Sequence, residues 1–133
     1  MSTTGRPTGL RLTKAQKLAI EDVAGKADKD TLHTITDAAG ATELDYEDGS
    51  VFDITATGDI TLTYANLPAV GGIVIYATNW GAHTITLPSG TVLAGGEAAS
   101  FTASGLDIIT VTTKNSGTAT EFLIAAQDVN AAS

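Results

Sequence analysis

The amino-acid sequence predicts a mainly β fold. Three observations carry this: hydropathy that alternates every second residue, turn-forming residues between the alternating runs, and a body rich in Thr, Val, Ile and Gly. Together they give an antiparallel β-sandwich or jelly-roll-like barrel of about eight short strands, spaced as such folds space them. An N-terminal arm with one short helix precedes it. The division falls at residues 1–40 for arm, helix and linker, and 41–133 for the body.

The elements follow in order. Gly5, Pro7 and Gly9 make residues 1–11 a flexible lead. Thr13 caps a helix, Gln16 completes a capping box, and Gly25 stops it. Ala15, Leu18, Ala19, Ile20 and Val23 form its narrow apolar stripe. A helix of about 11 residues is marginal alone, so it packs on the body, a sister subunit or a larger partner. Residues 26–40 read as a linker leading into a short strand.

Strands are then expected at 42–46, 51–56 and 59–64, with turns at Asp48-Gly49 and Thr57-Gly58. In the second, Phe52, Ile54 and Ala56 share a face; in the third, Ile60, Leu62 and Tyr64 do. Residues 72–78 are apolar on both faces, so that strand is central or covered by another subunit. Further strands are expected at 83–87, 98–103, 106–113 and 120–126.

Charge is divided unevenly. Residues 1–30 hold six bases (Arg6, Arg11, Lys14, Lys17, Lys26, Lys29) against four acids, a formal +2. Residues 31–133 hold Lys114 alone against eleven acids, a formal −10. Such a body lacks the positive surface that nucleic-acid binding needs. No apolar run has the length of a signal peptide or a membrane span, so the chain is expected to be made in the cytoplasm and not to enter a membrane. With no cysteine, disulfide and thiolate chemistry are excluded.

Candidate chemistry is sparse. His33 and His83 are too few for a zinc site without carboxylates from elsewhere, and no metal or other cofactor is expected. Glu43, Asp45, Glu47 and Asp48 do not follow an EF-hand order and read as a solvated face. No nucleophile elbow, phosphate loop or dinucleotide fingerprint appears, so no enzyme activity is expected. Asn79-Trp80 sits between two strands. Its indole either stacks on a host surface glycan or plugs the end of the sandwich or a subunit seam. In the arm, Arg6, Arg11, Lys14 and Lys17, with Leu12, Leu18 and Ile20, either anchor the chain to a partner or fold back on the acidic body.

Several stretches carry a resemblance: 49–55 (Gly-Ser-Val-Phe-Asp-Ile-Thr) followed by 58–62 (Gly-Asp-Ile-Thr-Leu) and Asn66-Leu67-Pro68, then 83–88, 106–111 and 121–128. Their order and spacing resemble a β-domain family of tailed-bacteriophage virion proteins, over residues 49–128. The resemblance implies a compact β module, usually trimeric, displayed on a virion and without catalysis. The expected protein is thus a homotrimeric capsid decoration (cement) or head-fibre protein, anchored by its arm to the major capsid protein or another virion protein. The alternatives are a tail fibre or tail appendage module binding a host receptor, and a carbohydrate-binding module. Length favours the first, since a fibre that reaches a host needs a long shaft and residues 12–25 supply one short helix.

Overall fold

Runs of β-branched and apolar residues build two long strands early in the chain. The structure, a computed structural model, describes residues 31–131. Its strands are β1 (Leu32–Asp45), β2 (Val51–Ala65), β3 (Gly71–Thr78), β4 (Ile85–Thr86), β5 (Thr91–Leu93), β6 (Leu106–Thr113) and β7 (Thr120–Ala126). Among the described residues, strands make up 56% and helical turns 6%, so the class is mainly β, an open sheet consistent with a sandwich rather than a closed barrel.

β2 has 15 residues. Straight, it would run about 50 Å, while a domain of this size has a radius of gyration of about 13 Å. It has to bend. Its residues 51–55 pair with β3 and its residues 60–61 with β4. β1 breaks register between Ile35 and Ala38 and again between Ala38 and Gly40, opposite the bend. Bulges of this kind turn a strand and let one ribbon serve two sides of a core. The Thr57-Gly58 turn expected between two strands is this bend inside one strand.

The sheet is mixed, where an antiparallel one was expected. β1 and β2, β2 and β3, β2 and β4, and β5 and β7 pair in parallel; β3 with β6 and β6 with β7 are antiparallel. Parallel neighbours need a long connection. Here the second leg of β1 and the turn after it provide one, so Leu32 meets Val51 and Gly40 meets Ile60. Asp48-Gly49 is indeed a turn, with Asp48 N–H donating to the Asp45 carbonyl at 2.9 Å, but it closes no hairpin. It brings the chain back beside its own start, where Ser50 and Val51 N–H both donate to the Thr31 carbonyl. Gly49 is required at that point, because a Cβ there would run into the Thr31 carbonyl oxygen.

Register stacks the core in rows. One runs His33–Phe52–Ile75–Ile109–Ile124, the next Ile35–Ile54–Ala77–Asp107, across neighbouring strands. On the second legs, Ile60, Leu62 and Leu44 are buried in the same cluster. β3 is central, between β2 and β6; one face (Ile73, Ile75, Ala77) is buried in the core, while Val74 and Tyr76 lie on the other, outer face.

The remaining differences have local causes. β1 starts at Leu32, so the β body takes in residues assigned above to a linker. Ala38, Ala39 and Gly40 disguise a strand whose identity comes from pairing with β2. Residues 98–103 form no strand, since the Thr102 carbonyl accepts from Gly81 N–H and its own N–H goes to a side chain. β5 occurs instead, held to β7 through Thr91 and Thr120. β6 and β7 have the expected bounds.

Trp80 is fully buried, and its indole N–H donates to the Ile54 carbonyl at 3.1 Å. Trp80→Ala should lower stability by about 3–5 kcal/mol, seen as a fall in urea midpoint at unchanged slope; an unchanged midpoint would contradict the plug.

Candidate functional site

Trp80 lies in a 3-10 turn, Trp80–Ala82, directly after Asn79. Asn79 takes the left-handed conformation, with φ of 63°, which Asn tolerates better than most residues. Its side-chain Oδ1 accepts from Gly105 N–H at 3.1 Å, and its own N–H donates to the Gly105 carbonyl at 2.9 Å. This double tie aims the next residue inward. Trp80 meets the edge of Phe101 at 5.4 Å between centroids, and Phe101 meets Phe122 at 6.0 Å. A sugar needs an open aromatic face. Trp80 has none, so of the two readings for Asn79-Trp80 its burial supports the plug and not the glycan contact.

Asp107 is the fully buried acid. Its Oδ2 accepts from Thr102 N–H at 2.7 Å, and its Oδ1 accepts from the Thr102 hydroxyl at 2.6 Å and from Asp128 N–H at 3.0 Å. Three donors meet one carboxylate, which joins the loop before β6 to the segment after β7. All three contacts tie backbone or hydroxyl groups of neighbouring segments to a side chain closed off from solvent. No motif marked Asp107 in the sequence; its even-odd position in β6, on the face of Ile109 and Val111, was the available signal.

Tyr64 and Thr120 carry buried hydroxyls with no hydrogen-bond partner among the described residues. Both residues line a cleft of about 290 Å³ with Asn66, Ser89 and Ser116. The two hydroxyls are closed off from that cleft, so they offer a ligand nothing to bind. Burial pushes the Tyr64 phenol well above its ordinary value of 10.0. A second cleft, also about 290 Å³, lies between residues 93–100 and β7. The Gln127 amide on its wall donates to the Ser100 carbonyl at 2.5 Å, so that polar group is already engaged.

The acidic surface is dispersed. Asp45 Oδ1 accepts from Glu47 N–H and from the Asn66 amide, each at 2.9 Å, and so shapes a turn. Glu43, Glu47 and Asp48 are exposed. His33 stacks edge-on against Phe52 at 5.9 Å, and His83 is half-buried. Among the described residues, no three His, Cys, Asp or Glu side chains come together as a metal site. Arg6, Arg11, Leu12, Lys14, Lys17, Leu18 and Ile20 lie outside the described residues.

The outer face of the first-leg sheet holds the feature that sequence periodicity missed. Register lines up Leu32, Val51, Val74, Thr110 and Leu123 across five strands. Beside them, Asp53, Tyr76 and Ile108 form a second row. Leu32 is 57% exposed, Leu123 52% and Tyr76 39%. An apolar stripe on a solvent-facing sheet marks a contact surface. Its members come from five separate strands, so no single strand's pattern displays it.

Set against known proteins, the chain matches no family model, no curated protein and no solved structure.

Two variants test the buried polar groups. Asp107→Ala strips the acceptor from two backbone N–H groups and should cost about 3 kcal/mol in urea unfolding; a loss under about 1 kcal/mol would refute the bridging role. For Tyr64, the folded chain keeps a proton that the unfolded chain gives up above pH 10. Stability is therefore whole below pH 10 and falls as pH rises further, by up to about 1.4 kcal/mol per unit. Tyr64→Phe should be neutral or stabilising at pH 7, since it removes an unpartnered hydroxyl, and should flatten the alkaline decline. An equally steep decline in the variant would assign it to other groups.

Proposed function

We propose that this protein is a structural component of a bacteriophage virion, a capsid decoration or head-fibre protein fastened by its N-terminal arm. The observation that carries the reading is the division of charge. Residues 1–30 bear a formal +2 and the rest −10. A basic leader suits an acidic or carboxylate-bearing lattice, and the acidic body keeps displayed copies apart and soluble. The resemblance of residues 49–128 to virion β-domains points the same way.

In this reading Arg6, Arg11, Lys14 and Lys17 make the ionic contacts, and Leu12, Leu18 and Ile20 give the arm its apolar content. The partner is the major capsid protein or another virion protein, and the working form is a homotrimer. β1 supports the trimer: from Leu32 to Leu44 it pairs with β2 on one side and with no strand of the described residues on the other. Closed rotational symmetry covers such an edge without open-ended growth. Attachment rests on many weak contacts repeated around the shell.

Deleting residues 1–25 should leave a folded body that no longer loads onto capsids in a co-sedimentation assay. Raising salt from about 0.1 to 1 M, which shortens the screening length from about 10 to 3 Å, should release the intact protein. Loading by the truncated protein would overturn arm anchoring, and a monomer mass by light scattering would overturn the trimer.

A further inference from the structure

At one end of the apolar stripe the outer face sinks into a pocket of about 320 Å³, lined by Leu32, Val51, Asp53 and Tyr76. We propose that this pocket takes an arginine or lysine side chain from a cationic segment of a partner protein. The inference is separate from the virion reading and needs neither a capsid nor the arm.

Register builds the pocket from three neighbouring strands. Parallel pairing sets Leu32 beside Val51 and Asp53 beside Tyr76. Val51 and Asp53 alternate with Phe52 and Ile54, which point into the core, so the first pair shares the outer face. Leu32 belongs to β1, the strand at the end of the sheet, so the pocket sits at an edge. Its size is at the lower limit of sites that hold small molecules, which suits one long side chain better than a cofactor.

Chemistry names the guest. Asp53 is half-buried, and its carboxylate makes no hydrogen bond or ion pair among the described residues. A carboxylate drawn part-way out of water between apolar side chains is stabilised by an opposite charge. The body has none to offer there. Its one Lys or Arg among residues 31–133 is Lys114. That lysine lies six residues beyond Ile108, the β6 neighbour of Tyr76, or about 20 Å along the strand. The other walls suit the rest of a long cationic side chain. Leu32 and Val51 give its methylene groups apolar surface. Tyr76, 39% exposed, gives an aromatic ring on which a guanidinium stacks.

The surroundings decide between sources of the cation. Val74 and Leu123 carry the apolar stripe onward across β3 and β7. A free amine would leave that surface bare, whereas a polypeptide covers it with the residues beside its cation. Asp53 on one side of the stripe and Glu121 on the other make the whole face acidic. A second body is a poor source, since residues 31–133 carry a formal −10. Like-signed faces repel, and a partner segment of opposite charge is drawn in.

The probe is the peptide acetyl-Val-Arg-Val-amide, added to the full-length, isotope-enriched protein and followed by NMR. Saturable shifts are expected at the Val51, Asp53 and Tyr76 amides, weakening as salt is raised. Asp53→Asn should weaken binding at least about tenfold and Tyr76→Leu about threefold, with the rest of each spectrum unchanged as the check of folding. The same peptide with glutamine in place of arginine needs no variant protein and should not bind. Equal binding of the glutamine peptide, or undiminished binding to Asp53→Asn, overturns the proposal. So does the absence of saturable shifts in the full chain, as when its own arm or a second copy already fills the pocket. Butylguanidinium binding as tightly as the peptide would assign the pocket to small cations and overturn the partner segment. None of these outcomes bears on capsid loading, so the two readings fall separately.

Discussion

The parallel pairing of two bent strands governs the molecule. β1 and β2 lie side by side along nearly their whole length, from Leu32↔Val51 to Asp45↔Ala65. Parallel strands cannot be joined by a tight turn, so the connection has to travel. In this chain the strand itself travels: it bends near Gly40 and Gly58, runs along a second side, and returns through residues 46–50. Everything else is laid on that coil. β3 extends the first legs, β4 extends the second, and β6, β7 and β5 continue the sheet beyond β3.

Because identical strand faces stack in register, the core is assembled by rows rather than by hairpins. Phe52, Ile75 and Ile109 occupy successive strands of one row and are all fully buried. The same register that hides one face aligns the other. Leu32, Val51, Val74 and Leu123 reach the outside at one level for the reason that Phe52 and Ile75 reach the inside at the next. The core and the outer stripe are thus two results of a single pairing, and the stripe is the part of it that remains open to a second element.

Where strands do not continue, polar side chains hold the irregular backbone. Asn79 fixes the entry to the Trp80 turn, Asp107 gathers the loop before β6 and the tail after β7, and Asp45 shapes the turn into β2. Each satisfies backbone N–H groups that a ladder would otherwise have used. This is where Asn79, Asp107 and Asp45 are used in this body.

The mainly β class, the extents of β6 and β7, the inward faces of β2 and the charge division were all legible in the residues, because side-chain alternation and net charge are local properties of a chain. The arm residues proposed as anchors were chosen on the same local grounds. Parallel rather than antiparallel pairing, the strand hidden in residues 32–41, the burial of Trp80 and the bridging by Asp107 were decided only by tertiary structure. Each depends on which distant segment lies alongside: Val51 beside Leu32, Ile54 behind Trp80, Asp128 beside Asp107. A single strand's pattern records which of its faces is wet, but contacts between segments about 20 or more residues apart leave no period to read.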